Sequence, residues 1–183
     1  MDAEKKGPGQ DGRKRGLQAV THEFPPVYDE NSRILILGTF PSVKSREQHF
    51  YYGHPRNRFW RVIAALTRNP VPETIEEKKK LLLTNGIAVW DVIASCEIIG
   101  SSDSSIRNVK ANDIAGLLKK SRIGAVYANG AAAASFYRKY CFPRTGRPAF
   151  LLPSTSPANA AWTLPKLLEA WSVILPALSG GED

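Results

Sequence analysis

Four short apolar runs separated by helical patterns predict an α/β protein: a three-layer α/β/α sandwich around a four-stranded parallel sheet. Two further observations support this class. The runs are continuous rather than alternating, as strands covered on both faces require. The segments that follow them are rich in Gly, Pro, Ser and Asn, and the carboxyl ends of parallel strands are where ligands bind.

The expected strands are residues 33–39 (RILILGT), 87–93 (IAVWDVI), 123–129 (IGAVYAN) and 148–153 (PAFLLP). Helical patterns over 57–67 and 72–84 fill the first gap. A pattern over 112–120 precedes the third strand, one over 131–140 follows it, and one over 160–175 closes the chain. Residues 22–32 (HEFPPVYDENS) read as an ordered extended lead-in, since proline disfavours helix before it. Residues 100–108 (GSSDSSIRN) read as a loop, a lid or a contact surface. No internal repeat is visible.

The 183 residues fit one domain with a proper core. Residues 1–18 are polar and glycine-rich, and we expect a disordered basic tail there ahead of a single domain over 19–183. The net charge is +8 and the pI about 9.6. The tail holds five Lys/Arg and three Asp/Glu, so +6 belongs to the body. A basic body favours an acidic partner, nucleic acid above all. The two cysteines, Cys96 and Cys141, are too few for an all-cysteine zinc or iron–sulfur site. No apolar run reaches the roughly 20 residues that span a bilayer, and the N-terminus lacks an apolar signal core. The expectation is a cytoplasmic protein with no membrane contact, working as a monomer.

Two segments carry the chemistry. The first runs from Gly38 through GTFPS to QHFYYGHPRNRFW, ending at Trp60. Gly38 at a strand end permits close approach, and the following Pro and Ser suit a tight loop with exposed amides. Three aromatics, two histidines and two arginines surround Asn57. Aromatics can stack on a base and arginines can neutralise phosphate. Asn57 also suits the cap of the helix beginning near Arg58, with Phe59 and Trp60 in the core. The second segment, LPSTSPAN, spans Leu152–Asn159. Its hydroxyls, ahead of a helix, suit both a phosphate cradle and a helix cap. Asp91, at the end of the second strand, is a carboxylate on an apolar element, which calls for a partner or a purpose.

Together these motifs, with the WDV of Trp90–Val92, resemble the uracil-DNA glycosylase superfamily, and within it the hypoxanthine-DNA (deoxyinosine) glycosylase branch. The resemblance covers about residues 25–175. It implies a four-stranded parallel sheet between helices, and an enzyme that flips a deaminated base out of DNA and hydrolyses its N-glycosidic bond. The third position of GTFPS is Phe40, where other branches place a catalytic Asp or Asn. Leu152 stands where the uracil enzymes place a base-contacting His. The resemblance therefore puts Asn57, in the HPxN element, forward as the catalytic residue.

An oxocarbenium-like sugar needs a positioned water more than a strong base, and an asparagine amide suffices. The resemblance implies Thr39, Phe40, Tyr52, His54 and Asp91 as the residues that line or bind the base. Tyr52 would stack on it, and Asp91 would accept from hypoxanthine N1–H. Ser42, Ser154, Thr155, Ser156 and Asn159 would hold DNA phosphates. No metal or other cofactor is implied. No lysine is placed for a Schiff base, so hydrolysis without strand cleavage is expected. The alternatives are uracil as the main substrate, or a non-catalytic lesion binder on the same fold. A serine hydrolase using Ser42 or Ser154 with His54 and Asp91 is disfavoured by the missing GxSxG elbow. The loop Thr155–Ser156–Pro157–Ala158 holds no bulky side chain to wedge into the duplex.

Overall fold

The computed structural model describes residues 16–180. The expected tail lies outside the described residues except for its last three, and of these Gln18 opens a strand, β1 (Gln18–Thr21). The central sheet consists of β2 (Ile34–Gly38), β3 (Ile87–Asp91), β6 (Ala125–Asn129) and β7 (Ala149–Leu152). All its pairings are parallel, in the order β3-β2-β6-β7. These are the four strands expected from the apolar runs.

Strand β2 shows why a continuous apolar run was needed. Successive side chains point to opposite faces. Ile34 and Ile36 pack with Phe59, Ile63, Leu82, Leu167 and Trp171, so α2 (Phe59–Leu66), α3 (Ile75–Thr84) and α7 (Leu164–Trp171) cover that face. Leu35 and Leu37 pack with Ile114, Leu117 and Tyr137, under α4 (Ile114–Lys119) and α5 (Ala131–Tyr140). The layers are therefore helix, sheet, helix. Local signals fix the ends: Thr74 and Glu77 form a reciprocal capping box on α3. Short helices α6 (Phe142–Thr145) and α8 (Leu175–Ser179) complete the chain. Among the described residues, no helix is long and apolar enough to cross a membrane.

The structure adds a second sheet that the apolar runs did not announce. It is antiparallel, with order β1-β4-β5, where β4 is Ile93–Ile98 and β5 is Arg107–Ala111. The expected strand 87–93 stops at Asp91. The backbone N–H of Val92 donates to Gly38 O and that of Ile93 to Thr39 O, and the chain leaves for the second sheet. Residues 107–108, read as loop, belong to β5. A further helix, α1 (Val43–Gln48), forms in the first motif, capped by Ser42, whose hydroxyl accepts from Ser45 N–H.

One side chain joins the loop after β2 to the loop after β7. Arg58 is buried, and its guanidinium donates to Thr155 O at 3.4 Å, Ser156 O at 2.8 Å, Asn159 O at 3.1 Å and Trp162 O. Its backbone N–H donates to Thr155 O as well, at 3.1 Å. This arginine, one of the two that flank Asn57, therefore serves as a main-chain latch. We expect Arg58→Met to lower unfolding free energy by about 3 kcal/mol, because four carbonyls lose donors. Arg58→Lys should recover little, since a point ammonium cannot span the fork. Denaturant midpoints at unchanged slope would check both.

Candidate active site

The carboxyl ends of β2, β3 and β6 converge on one pocket of about 140 Å³. That is close to the roughly 150 Å³ cavity that admits a benzene ring. Its lining includes Gly38, Thr39, Phe40 and Ser42 from the first motif, Tyr52 and Asn57 from the second stretch, Asp91, and Ser154, Thr155 and Ser156 from the last. Nine of the eleven expected site residues, counting Thr155, therefore meet in one place. The exceptions are His54 and Asn159. His54 Nδ1 accepts from Arg56 N–H and closes the turn. Asn159 donates its amide to Ser154 O and lines an adjoining groove with Leu151 and Trp162.

Asn57 is held by its own backbone. Its Oδ1 accepts from Phe59 N–H at 2.9 Å, and its N–H donates to His54 O. Because a backbone N–H can only donate, the amide's orientation follows from chemistry. Its NH₂ is left without a partner among the described residues, at the pocket wall.

Asp91 lies at the floor and is buried. Its Oδ2 is 2.8 Å from His22 Nε2, a residue the sequence reading placed only in the lead-in. Gly38 makes this possible: a Cβ there would come within 2.3 Å of Asp91 Oδ1. Tyr52 also reaches the floor. Its ring stacks on Phe59, centroids 4.0 Å apart and planes 20° apart. One ring face is therefore spent on the core. Its hydroxyl is buried with no hydrogen-bond partner among the described residues. Burial first, and the Asp91 charge second, push its pKa upward, so it is a neutral hydroxyl. Phe50 and Tyr51, its neighbours in the aromatic run, are core residues, and Tyr51 Oη donates to Pro25 O.

Asn129, at the end of β6, was not singled out from sequence. Its amide donates to Thr155 Oγ1 at 3.0 Å, and its Oδ1 accepts from Thr155 N–H at 3.0 Å. Both residues are buried, so Thr155 stands as the anchor of its loop, with no surface to offer a phosphate. Gly130 follows at φ +99°, a conformation that favours glycine, and Ser154 packs against it. Ser154 and Ser156 hydroxyls accept from Ser156 N–H and Ala158 N–H, which folds the loop into successive tight turns.

The segment 100–108 closes one side. Arg46 donates to Gly100 O and Pro41 O, Val43 N–H donates to Ser101 Oγ, and Thr39 Oγ1 donates to Asp103 Oδ2 at 3.4 Å. Arg46 also lies over the Phe40 ring. Asp103 lines the pocket although its residue keeps solvent exposure. Partial desolvation, reinforced by the charge of Asp91, pushes its pKa up to about 6, against the Thr39 hydrogen bond. Among the described residues no group of three or more His, Cys, Asp or Glu side chains is placed to hold a metal ion.

The sign of that shift makes a test. A carboxyl whose folded pKa is raised binds more protons folded than unfolded between its ordinary 3.8 and about 6. Stability from this group therefore falls as pH rises through that window. We expect Asp103→Asn to gain thermal stability relative to wild type as pH goes from about 4 to about 6. Melting temperatures of the pair across that range check it.

The family model for the uracil DNA glycosylase superfamily matches residues 25–175. A hypoxanthine DNA glycosylase of Methanosarcina acetivorans is 38% identical over 142 residues, which cover 76% of this chain and 89% of that relative. A hypoxanthine DNA glycosylase of Methanosarcina barkeri is 38% identical over 90 residues, 49% of this chain and 57% of that relative. The solution NMR structure of a Methanosarcina acetivorans protein, provisionally named a uracil DNA glycosylase, superposes with a TM-score of 0.73 at 34% identity. It covers 85% of this chain and 96% of its own. A parallel sheet with its pocket at the strand ends, matched over nearly the whole body, makes this chain a member of the uracil DNA glycosylase superfamily.

Proposed function

We propose that this chain is a monofunctional DNA glycosylase that hydrolyses the N-glycosidic bond of hypoxanthine flipped out of DNA, leaving an abasic site. The observation that carries the reading is the meeting of Asn57 and Asp91 in a single base-sized pocket. Two relatives named as hypoxanthine DNA glycosylases support the choice of base.

The roles follow from the chemistry of the bond. Cleavage passes through an oxocarbenium-like sugar, and the base leaves with negative charge. Asn57, its amide fixed by Phe59 N–H, holds the attacking water through its free NH₂. The water keeps a lone pair for C1′, and the proton it sheds on attack balances the negative charge of the departing base. Asp91 has one oxygen on His22 and no partner for Oδ1 among the described residues, so Oδ1 accepts from hypoxanthine N1–H. The neutral Tyr52 hydroxyl offers a donor beside it. The carboxyls of Asp91 and Asp103 favour the developing cationic sugar. Backbone amides of the Ser154–Asn159 loop and surface Lys and Arg take the phosphates, while the +8 net charge draws DNA to the protein.

Uracil is the second substrate on this reading, since its N3–H is the same kind of donor. A lesion binder without catalysis is the other alternative, because Phe40 offers no polar group. Duplexes carrying hypoxanthine, uracil or xanthine, assayed for free base, separate the three. Fastest release of hypoxanthine supports the proposal; tight binding of every duplex with no base release overturns it. In the same assay Asn57→Ala should lose at least about 100-fold in single-turnover release, while duplex affinity stays within a few-fold.

A further inference from the structure

His22 lies before the segment that the family model matches, and it meets Asp91, behind the pocket lining, from the end of the second sheet. Strand β1 pairs with β4 up to Thr21 opposite Ser95, and His22 N–H then donates to Ala94 O at 2.7 Å. The imidazole turns inward. It packs on Phe24 with centroids 4.4 Å apart, and near Tyr51 and Phe40 at 5.8 Å and 6.3 Å. Its side chain is 2% exposed and that of Asp91 is 6% exposed. A buried carboxylate with no cationic or hydrogen-bonding partner would take up a proton. Among the described residues, His22 is the one ion-pair partner of Asp91.

The protonation state of Asp91 decides what it can read. As a carboxylate it only accepts; protonated, it also donates. Hypoxanthine presents N1–H, a donor, where adenine presents a bare N1, an acceptor. An ionised Asp91 therefore pairs with the deaminated base and opposes the lone pair of the normal one. A protonated Asp91 would welcome adenine. We infer that His22 is a positioning residue whose imidazole N–H holds the Asp91 carboxylate in its acceptor-only form, so that the pocket takes hypoxanthine and rejects adenine. This rests on the base-excision reading above.

Among the described residues, no other group facing Asp91 hydrogen-bonds its carboxylate. Tyr51 and Tyr52 stay neutral hydroxyls, both with pKa values pushed upward by burial first and by the Asp91 charge second. Tyr51 already donates to Pro25 O. Asp103, from the loop before β5, is a second carboxyl whose charge opposes that of Asp91.

The test is the pH profile of single-turnover hypoxanthine release from a labelled duplex, from about pH 5 to about pH 9. All variants are made in an Asp103→Asn background as well, which removes the second carboxyl of the pocket, the one whose pKa is raised to about 6. His22→Phe removes the donor while keeping a ring for Phe24 to pack on. Its acid limb should move to higher pH, with at least about a tenfold loss at the wild-type optimum. His22→Gln places an amide N–H at similar reach and should return the limb towards wild type. Should His22→Phe not fold, His22→Asn, too short to reach Oδ2, takes its place against Gln. A limb that stays at its wild-type pH in the donor-less variant overturns the inference while leaving base excision standing. A wild-type protein that releases no base from any duplex removes both.

Discussion

Arg58 spends its guanidinium on four main-chain carbonyls of a loop roughly a hundred residues further along the chain. A carboxylate partner would have been the simpler way to bury that charge. Carbonyls do something a carboxylate cannot: they fix the path of the backbone from Thr155 to Trp162. Since Asn57 is the residue immediately before Arg58, the same latch sets where the Asn57 amide stands relative to Ser154 and Ser156. The paired hydrogen bonds between the Asn129 amide and Thr155 hold the loop from the sheet side. Between them, a side chain from one loop and one from a strand end define the gap into which a base would fit.

The floor of the pocket is built on different physics. Gly38, Asp91, Tyr52 and Asn129 bring a carboxylate, a buried hydroxyl without a partner among the described residues and an amide to three neighbouring strand ends. An unmet buried hydroxyl costs stability unless something pairs with it. On the proposed reading that something is the base. The charge layout is equally divided. The body of the protein is basic and attracts a polyanion, while two carboxyls line the cavity itself, where a sugar would become cationic. Long-range attraction and local stabilisation thus carry opposite signs without conflict, because the first acts across the surface and the second over a few ångströms.

The central sheet was legible because β2, β3 and β6 are buried on both faces, which forces unbroken apolar runs such as ILILG, although Phe150 and Leu151 of the edge strand β7 are exposed. The second sheet was not. Strand β1 has four residues, and β5 (RNVKA) is polar and largely exposed, so neither carries an apolar run of its own. Pairing with β4 decides them, and pairing is not written in local sequence. The pocket side chains divide in the same way. Asn57, Asp91 and the Ser154–Ser156 loop stood out because their residue types are unusual where they occur. His22 and Asn129 did not, since an isolated His in a lead-in and an Asn after a strand are ordinary until the fold supplies Asp91 and Thr155 as partners. Thr155 was read by its hydroxyl as a phosphate group, and Arg58 as the start of a helix. Burial, which the sequence does not state, turned both into anchors.

The most direct test of the account is the structure of the complex with a duplex carrying a non-cleavable, 2′-fluorinated deoxyinosine. The account predicts the flipped hypoxanthine in the strand-end pocket, N1–H within about 3 Å of Asp91 Oδ1, and a water on the Asn57 amide facing C1′. A base lodged instead in the neighbouring groove against Trp162, with Asn57 out of reach of the sugar, would contradict it.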